Sequence, residues 1–112
     1  MQQALLDQMI EFAVAELASG DTARIGKLVR SLAQHYPGEK ALMLCFALTS
    51  AAAAVEDVFR HDSDRQAPNI GYKLSALVAA DILAIELLNN RPAKGVDLLH
   101  FWRRVDPYFL QT

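Results

Sequence analysis

The fold depends first on an uncharged run in the middle of the chain. Residues 41–55 have the sequence ALMLCFALTSAAAAV, and the acidic pair Glu56-Asp57 follows them. A helix that crosses a bilayer needs about 20 apolar residues. This run is shorter, and Thr49 and Ser50 lie in its middle, so we expect no membrane span. The run instead predicts a helix that is buried in a protein core or in a subunit interface.

The composition of the 112 residues favours helices over strands. Leu and Ala together number 34, whereas Val, Ile and Thr together number 15, and β-branched residues suit strands better than helices. A hydrophobic share of 53% with 21% charged residues argues against disorder. The single cysteine cannot form an internal disulfide, and the N-terminus has no basic start of the kind that signal peptides carry. We therefore expect a cytoplasmic protein.

Breaks in the apolar periodicity divide the chain into five predicted helices. Each break contains Gly, Pro or Asn, which end helices or form turns. The breaks lie at positions 20–21, 37–38, 61–71 and 89–92. The helices between them span 2–19, 22–36, 38–60, 70–89 and 93–105. We predict an all-α fold: a single domain over 1–112, built as a bundle with the third and fourth helices at its centre.

The two central helices have more apolar surface than one stripe provides. Leu42, Met43 and Phe46 add a second apolar face to the first half of the third helix, so we expect that end to be enclosed on all sides. The fourth helix is apolar nearly all round. A chain of 112 residues is short for covering both, which predicts a homo-oligomer. Small residues such as Ala76 and Ala80 would permit close helix packing within the chain or across a twofold axis.

Asp81 is the most informative candidate for a functional residue. On the fourth helix it falls among large apolar residues: Leu74, Leu77, Ile85 and Leu88. An isolated buried carboxylate is costly, so we expect a structural pair with a donor on or near the fifth helix. Those donors are Arg103, Arg104, Trp102 and Tyr108. The alternative is a functional acid with a raised pKa that binds a ligand in a cavity between helices.

The only candidate metal ligands stand in the long loop. His61, Asp62 and Asp64 place a histidine beside two acids, but the segment lacks the Gly and the closing Glu of an EF-hand loop. No two histidines have the i, i+4 spacing of a helical zinc site. We therefore expect no metal and no cofactor.

A basic stripe on the second helix is the candidate interaction surface. Arg24, Lys27 and Arg30 recur every three residues without an acid among them. The stripe is either a solvated face or a face for a protein partner. A helix-turn-helix protein would add a short polar recognition helix, whereas the next helix here is long and apolar. The net charge of −2 also gives no general attraction to nucleic acid.

The sequence offers no catalytic constellation. It has no Gly-rich phosphate loop and no nucleophile elbow, and Cys45 has no His or basic residue near it in helical register. We expect a non-enzymatic module for protein interaction or regulation that acts as a homo-oligomer. The alternative is a helical bundle that binds a small molecule or a metal, or an enzyme built on such a bundle, with Asp81 in its cavity. An exposed apolar patch would favour the first class, and an enclosed polar pocket at Asp81 the second.

Overall fold

The computed structural model describes residues 2–58 and 66–111. This part of the chain contains five α-helices and a short 3₁₀ turn at Tyr108–Leu110, with no β-strand. The helices are α1 (Gln2–Ala18), α2 (Thr22–His35), α3 (Ala41–Val58), α4 (Gln66–Asn89) and α5 (Gly95–Arg104). The predicted all-α bundle is therefore confirmed.

The break between α1 and α2 shows how local sequence sets a helix boundary. Gly20 has a φ of +70°, a left-handed conformation that glycine adopts at little cost after a helix. The side chain of Asp21 then accepts hydrogen bonds from the backbone N–H groups of Ala23 and Arg24, at 2.9 and 3.4 Å. This N-cap satisfies two donors that the first turn of α2 leaves without helical partners.

The start of α4 differs from its prediction. The helix begins at Gln66, four residues before the predicted position 70, so the assignment of Pro68 and Asn69 to a loop is wrong. Proline is tolerated in the first turn of a helix, because the N–H that it lacks would have no helical acceptor there. Pro68 is also buried, so it contributes to packing instead of ending the helix.

The third helix is the centre of the bundle. It contacts each of the other four α-helices that the structure describes, and most extensively α4 and then α1. Its buried positions recur along its whole length: Ala41, Leu44, Cys45, Ala47, Leu48, Ala51, Ala52 and Val55. The predicted central position of the third and fourth helices is confirmed.

Both central helices nevertheless keep one side in solvent. On α3, Leu42 and Phe46 are 67% and 54% exposed, so the prediction that this end is enclosed on all sides is wrong. On α4, the buried positions follow one stripe, and Leu83 and Leu87 lie outside it, 60% and 76% exposed. That stripe consists of Pro68, Gly71, Ser75, Val78, Ile82 and Ile85. The shape explains this, because the molecule is only 20 Å thick along its shortest axis, about two helix diameters.

Backbone hydrogen bonds tie the start of α3 to the start of α5. The N–H of Ala41 donates to the carbonyl of Ala93 at 2.8 Å, and the N–H of Gly95 donates to the carbonyl of Glu39 at 2.9 Å. The two segments approach so closely that a Cβ on Gly95 would lie 2.5 Å from the carbonyl oxygen of Tyr36. Glycine at position 95 is therefore required by space.

We expect Gly95→Ala to lower the free energy of unfolding by about 1–3 kcal/mol, because the added methyl group forces the two segments apart. Gly38→Ala is the matched control in the same region. A Cβ there would meet no atom within 4 Å, so we expect a change within about 0.5 kcal/mol. Urea denaturation of both variants measures the difference. Equal stabilities for the two variants would contradict this account of Gly95.

Candidate functional site

Asp81 lies half-buried on α4 and is paired with α5. Its Oδ2 accepts a hydrogen bond from the Nε1–H of Trp102 at 2.9 Å. Trp102 is fully buried, and its ring packs against Phe109 with a centroid distance of 5.0 Å. The predicted pairing with a donor from the fifth helix is confirmed. The donor is a neutral indole, and no residue that the structure describes forms an ion pair with Asp81.

The surroundings of Asp81 are less enclosed than the helical wheel predicts. Of the four apolar neighbours, Ile85 is buried, Leu74 and Leu77 are half-buried, and Leu88 is 76% exposed. Asp81 therefore stands at the border of the buried stripe and not in its middle. A helical wheel places residues relative to one another, but it does not show which side of an apolar helix faces the core.

The pKa of Asp81 is raised above its ordinary value. Burial is the main cause, the charge of Asp106 adds to it, and the hydrogen bond from Trp102 opposes it. The two carboxylates share a groove of about 210 Å³ with Tyr108 and Phe109. Sites for small molecules commonly measure about 300–1,000 Å³, so this groove is small for such a ligand.

The predicted metal ligands cannot be placed. His61, Asp62 and Asp64 lie outside the described residues. Within the described ranges, no group of three His, Cys, Asp or Glu side chains is arranged to hold a metal ion.

Two of the three residues of the basic stripe on α2 form contacts within the protein. Arg24 forms a bidentate ion pair with Glu16 on α1, at 2.9 and 3.1 Å. Arg30 is half-buried, and its Nη1 donates to the carbonyl of Leu110 at 3.5 Å. Lys27 is exposed. Arg24 and Arg30 thus connect α2 to α1 and to the C-terminal segment, and the use of the stripe by a partner stays a prediction.

Cys45 belongs to a polar link between α3 and α4. Its thiol is buried, and its Sγ lies 3.3 Å from the Oγ of Ser75. The hydroxyl groups of Thr49 and Ser75 are 2.6 Å apart. Cys45 is thus a buried free thiol at the contact between the two helices. Sequence reasoning missed Ser75, because a serine among apolar residues on α4 gives no sign of a partner on another helix.

The side of α3 and α4 that faces solvent exposes apolar side chains along both helices. The two helices are antiparallel, since Cys45 and Thr49 both contact Ser75 while Ala52 lies against Gly71. This register brings the exposed stripe of α3 beside that of α4. We call the combined surface the outer face; its residues are Leu42, Phe46, Thr49, Ala53, Ala76, Ala79 and Leu83, all of them exposed.

Among the described residues, α3 is the one helix that is long and apolar enough to cross a membrane. Its 18 residues have a mean hydropathy of 1.6, and 39% of them are buried inside the protein. The central helix of a water-soluble bundle has the same length and composition.

Comparison with protein-family models, with curated proteins and with solved structures finds no match to this chain. Functional inference therefore depends on its own surfaces and contacts.

The Trp102–Asp81 hydrogen bond can be tested with two substitutions. Asp81→Asn keeps a side-chain acceptor, whereas Asp81→Leu leaves the buried indole N–H without one. A buried donor without an acceptor costs about 1–3 kcal/mol. We expect Asp81→Leu to be less stable than Asp81→Asn by this amount in chemical denaturation at neutral pH. A more stable Asp81→Leu would contradict the structural role and favour a functional acid.

The raised pKa of Asp81 predicts a defined dependence of stability on pH. Because the pKa in the folded chain lies above the ordinary value of 3.8, the folded chain binds this proton more tightly than the unfolded chain does. Ionisation therefore opposes folding, and the penalty grows as the pH rises through the interval between 3.8 and the raised pKa. We expect Asp81→Asn to gain stability over the wild type near neutral pH and to lose that gain towards acid. Urea denaturation across this range measures it, and a gain that increases towards acid would contradict the assignment.

Proposed function

We propose that this protein is a non-enzymatic interaction module that self-associates through the outer face. The observation that carries the proposal is the exposure of large apolar side chains on that face, with Leu42 67%, Phe46 54% and Leu83 60% exposed. Contiguous apolar patches are uncommon on monomeric soluble proteins and mark interaction sites where they occur.

The charge pattern of the outer face favours a second copy of the chain as the occupant. In a twofold interface the same surface patch meets itself, so a charged residue near the axis faces a like charge. The α3 part of the outer face lies within residues 41–55, which contain no charge, and its α4 part consists of Ala76, Ala79 and Leu83. The face is therefore compatible with its own copy without repulsion.

The shape of the outer face also suits the packing of helices against it. Ala53, Ala76 and Ala79 are small, so a second pair of helices can approach closely. At one end, Leu42, Met43 and Phe46 surround a hollow of about 260 Å³ together with Lys40. A leucine side chain from the partner copy would fill such a hollow as a knob fills a hole. These features support a dimer of packed helices as the working form.

The alternative function is a ligand-binding bundle with Asp81 at its site. In its favour, Asp81 and Asp106 both line one groove with two aromatic side chains. Against it, the groove is small, and Asp81 already has a partner in Trp102. The large apolar side chains of the outer face are exposed and none of the described side chains covers them, so we place self-association first.

Self-association is tested by placing a charge on the outer face. Leu83→Glu puts a carboxylate into the proposed interface, where association would bury it against apolar side chains of the partner copy. We expect the wild type to sediment at twice its monomer mass of 12.4 kDa and Leu83→Glu to sediment as a monomer. Sedimentation equilibrium at micromolar concentrations measures both.

Leu88→Glu is the matched control, because Leu88 is an exposed leucine on the same helix but outside the outer face. We expect this variant to remain a dimer. A monomeric wild type, or a dimer that Leu83→Glu leaves intact, would contradict the proposal. Binding of the wild type to lipid vesicles that Leu83→Glu abolishes, without any change in mass, would assign the face to a membrane instead.

A further inference from the structure

A second apolar surface lies away from the outer face, where the end of α4 meets α5. It is a groove of about 270 Å³, which we call the α4–α5 groove. Its apolar side chains are Ile85, Leu88, Phe101 and Val105. Leu88 and Val105 are 76% and 65% exposed. These two exposed side chains lie beside the buried Ile85 and give the groove an apolar surface that a partner could cover.

The rim of the α4–α5 groove is basic. Arg91, His100 and Arg104 line it together with a single acid, Asp97. Arg91 already neutralises that acid through two hydrogen bonds, at 2.9 and 3.0 Å. Arg104 forms no ion pair with any residue in the described ranges 2–58 and 66–111. Arg104 therefore presents one uncompensated positive charge beside an apolar floor.

We propose that the α4–α5 groove binds an acidic, amphipathic helical segment of another protein. The apolar floor would receive one or two leucine-like side chains of that segment, and the rim would face its carboxylates. The groove is open and below the usual volume of small-molecule sites, which favours side chains of a larger partner over a free ligand. The outer face of a second copy is a poor occupant, because it has no acid to meet Arg104.

The proposal concerns a different surface from that of self-association. Leu87 and Leu88 are neighbours in sequence and equally exposed, at 76% each, yet only Leu88 lines the groove. Arg103 and Arg104 form a second such pair, both exposed, of which only Arg104 lines the groove. The chain thus offers two matched controls for a binding experiment.

The experiment uses three synthetic helical peptides of about 14 residues, which is long enough to span the groove. All three carry the same stripe of leucines, and their polar faces are Glu, Gln or Lys. We expect fluorescence anisotropy to give the tightest binding for the Glu peptide, with a dissociation constant about tenfold below that of the Lys peptide at low salt. Equal binding of the three, no binding, or tighter binding of a single-stranded oligonucleotide would overturn the proposal.

The variants then assign the binding to this groove. We expect Leu88→Glu and Arg104→Glu each to weaken binding of the Glu peptide about tenfold, and Leu87→Glu and Arg103→Glu to change it by less than about twofold. Equal effects within either matched pair would overturn the proposal. The Leu83→Glu variant distinguishes the two proposals. If this monomeric variant still binds the Glu peptide, the groove acts without self-association.

Discussion

The fold depends on burying the apolar surface of the uncharged helix α3 beneath the other helices. Helix α3 carries no charge from residue 41 to residue 55, so leaving it in water would expose most of its apolar surface. The covering helices come very close where α1, α3 and α4 meet. A Cβ on Gly71 would lie 2.8 Å from the Cβ of Ala52 and 3.0 Å from the Cδ1 of Leu17. Small residues at this crossing allow α1 and α4 to pack closely against α3 at the same point.

Polar groups inside the bundle set how the helices are aligned. Ser75 on α4 contacts Cys45 and Thr49 on α3, and a slip of either helix would break these contacts. Asp81 and Trp102 connect α4 to α5 in the same way. No buried side-chain nitrogen or oxygen in the described part of the chain lacks a hydrogen-bond partner. Apolar burial drives the association of the helices, and these few polar contacts select one register.

The exposed apolar surfaces arise because the other helices bury only part of α3 and α4. A molecule 20 Å thick holds about two layers of helices, so each central helix has a solvent side. On α3 and α4 that side is apolar and becomes the outer face. At the far end of α4, the short helix α5 covers Ile85 but leaves Leu88 exposed, and the α4–α5 groove results. Both proposed interaction surfaces are places where the described helices leave apolar side chains uncovered.

Sequence patterns were sufficient where one helix face is clearly apolar and the other polar. The buried residues of α2, which include Leu28 and Leu32, recur with helical spacing, and Asp21 is a residue type that caps helices. The donor for Asp81 was predicted as one of four residues, but only the packing of α5 selects Trp102. The exposure of Leu88 and the partner of Ser75 had no counterpart in the sequence, because both depend on the rotation of α4 about its own axis.

The sequence by itself determined the five helices, most of their boundaries and the central position of α3, because caps, breaks and apolar spacing are local properties of the chain. Only the tertiary structure decided which sides of α3 and α4 are buried. A helix that is apolar on several sides has no periodicity that distinguishes them, so its orientation is set by the helices that pack against it. The outer face and the α4–α5 groove are consequences of that choice.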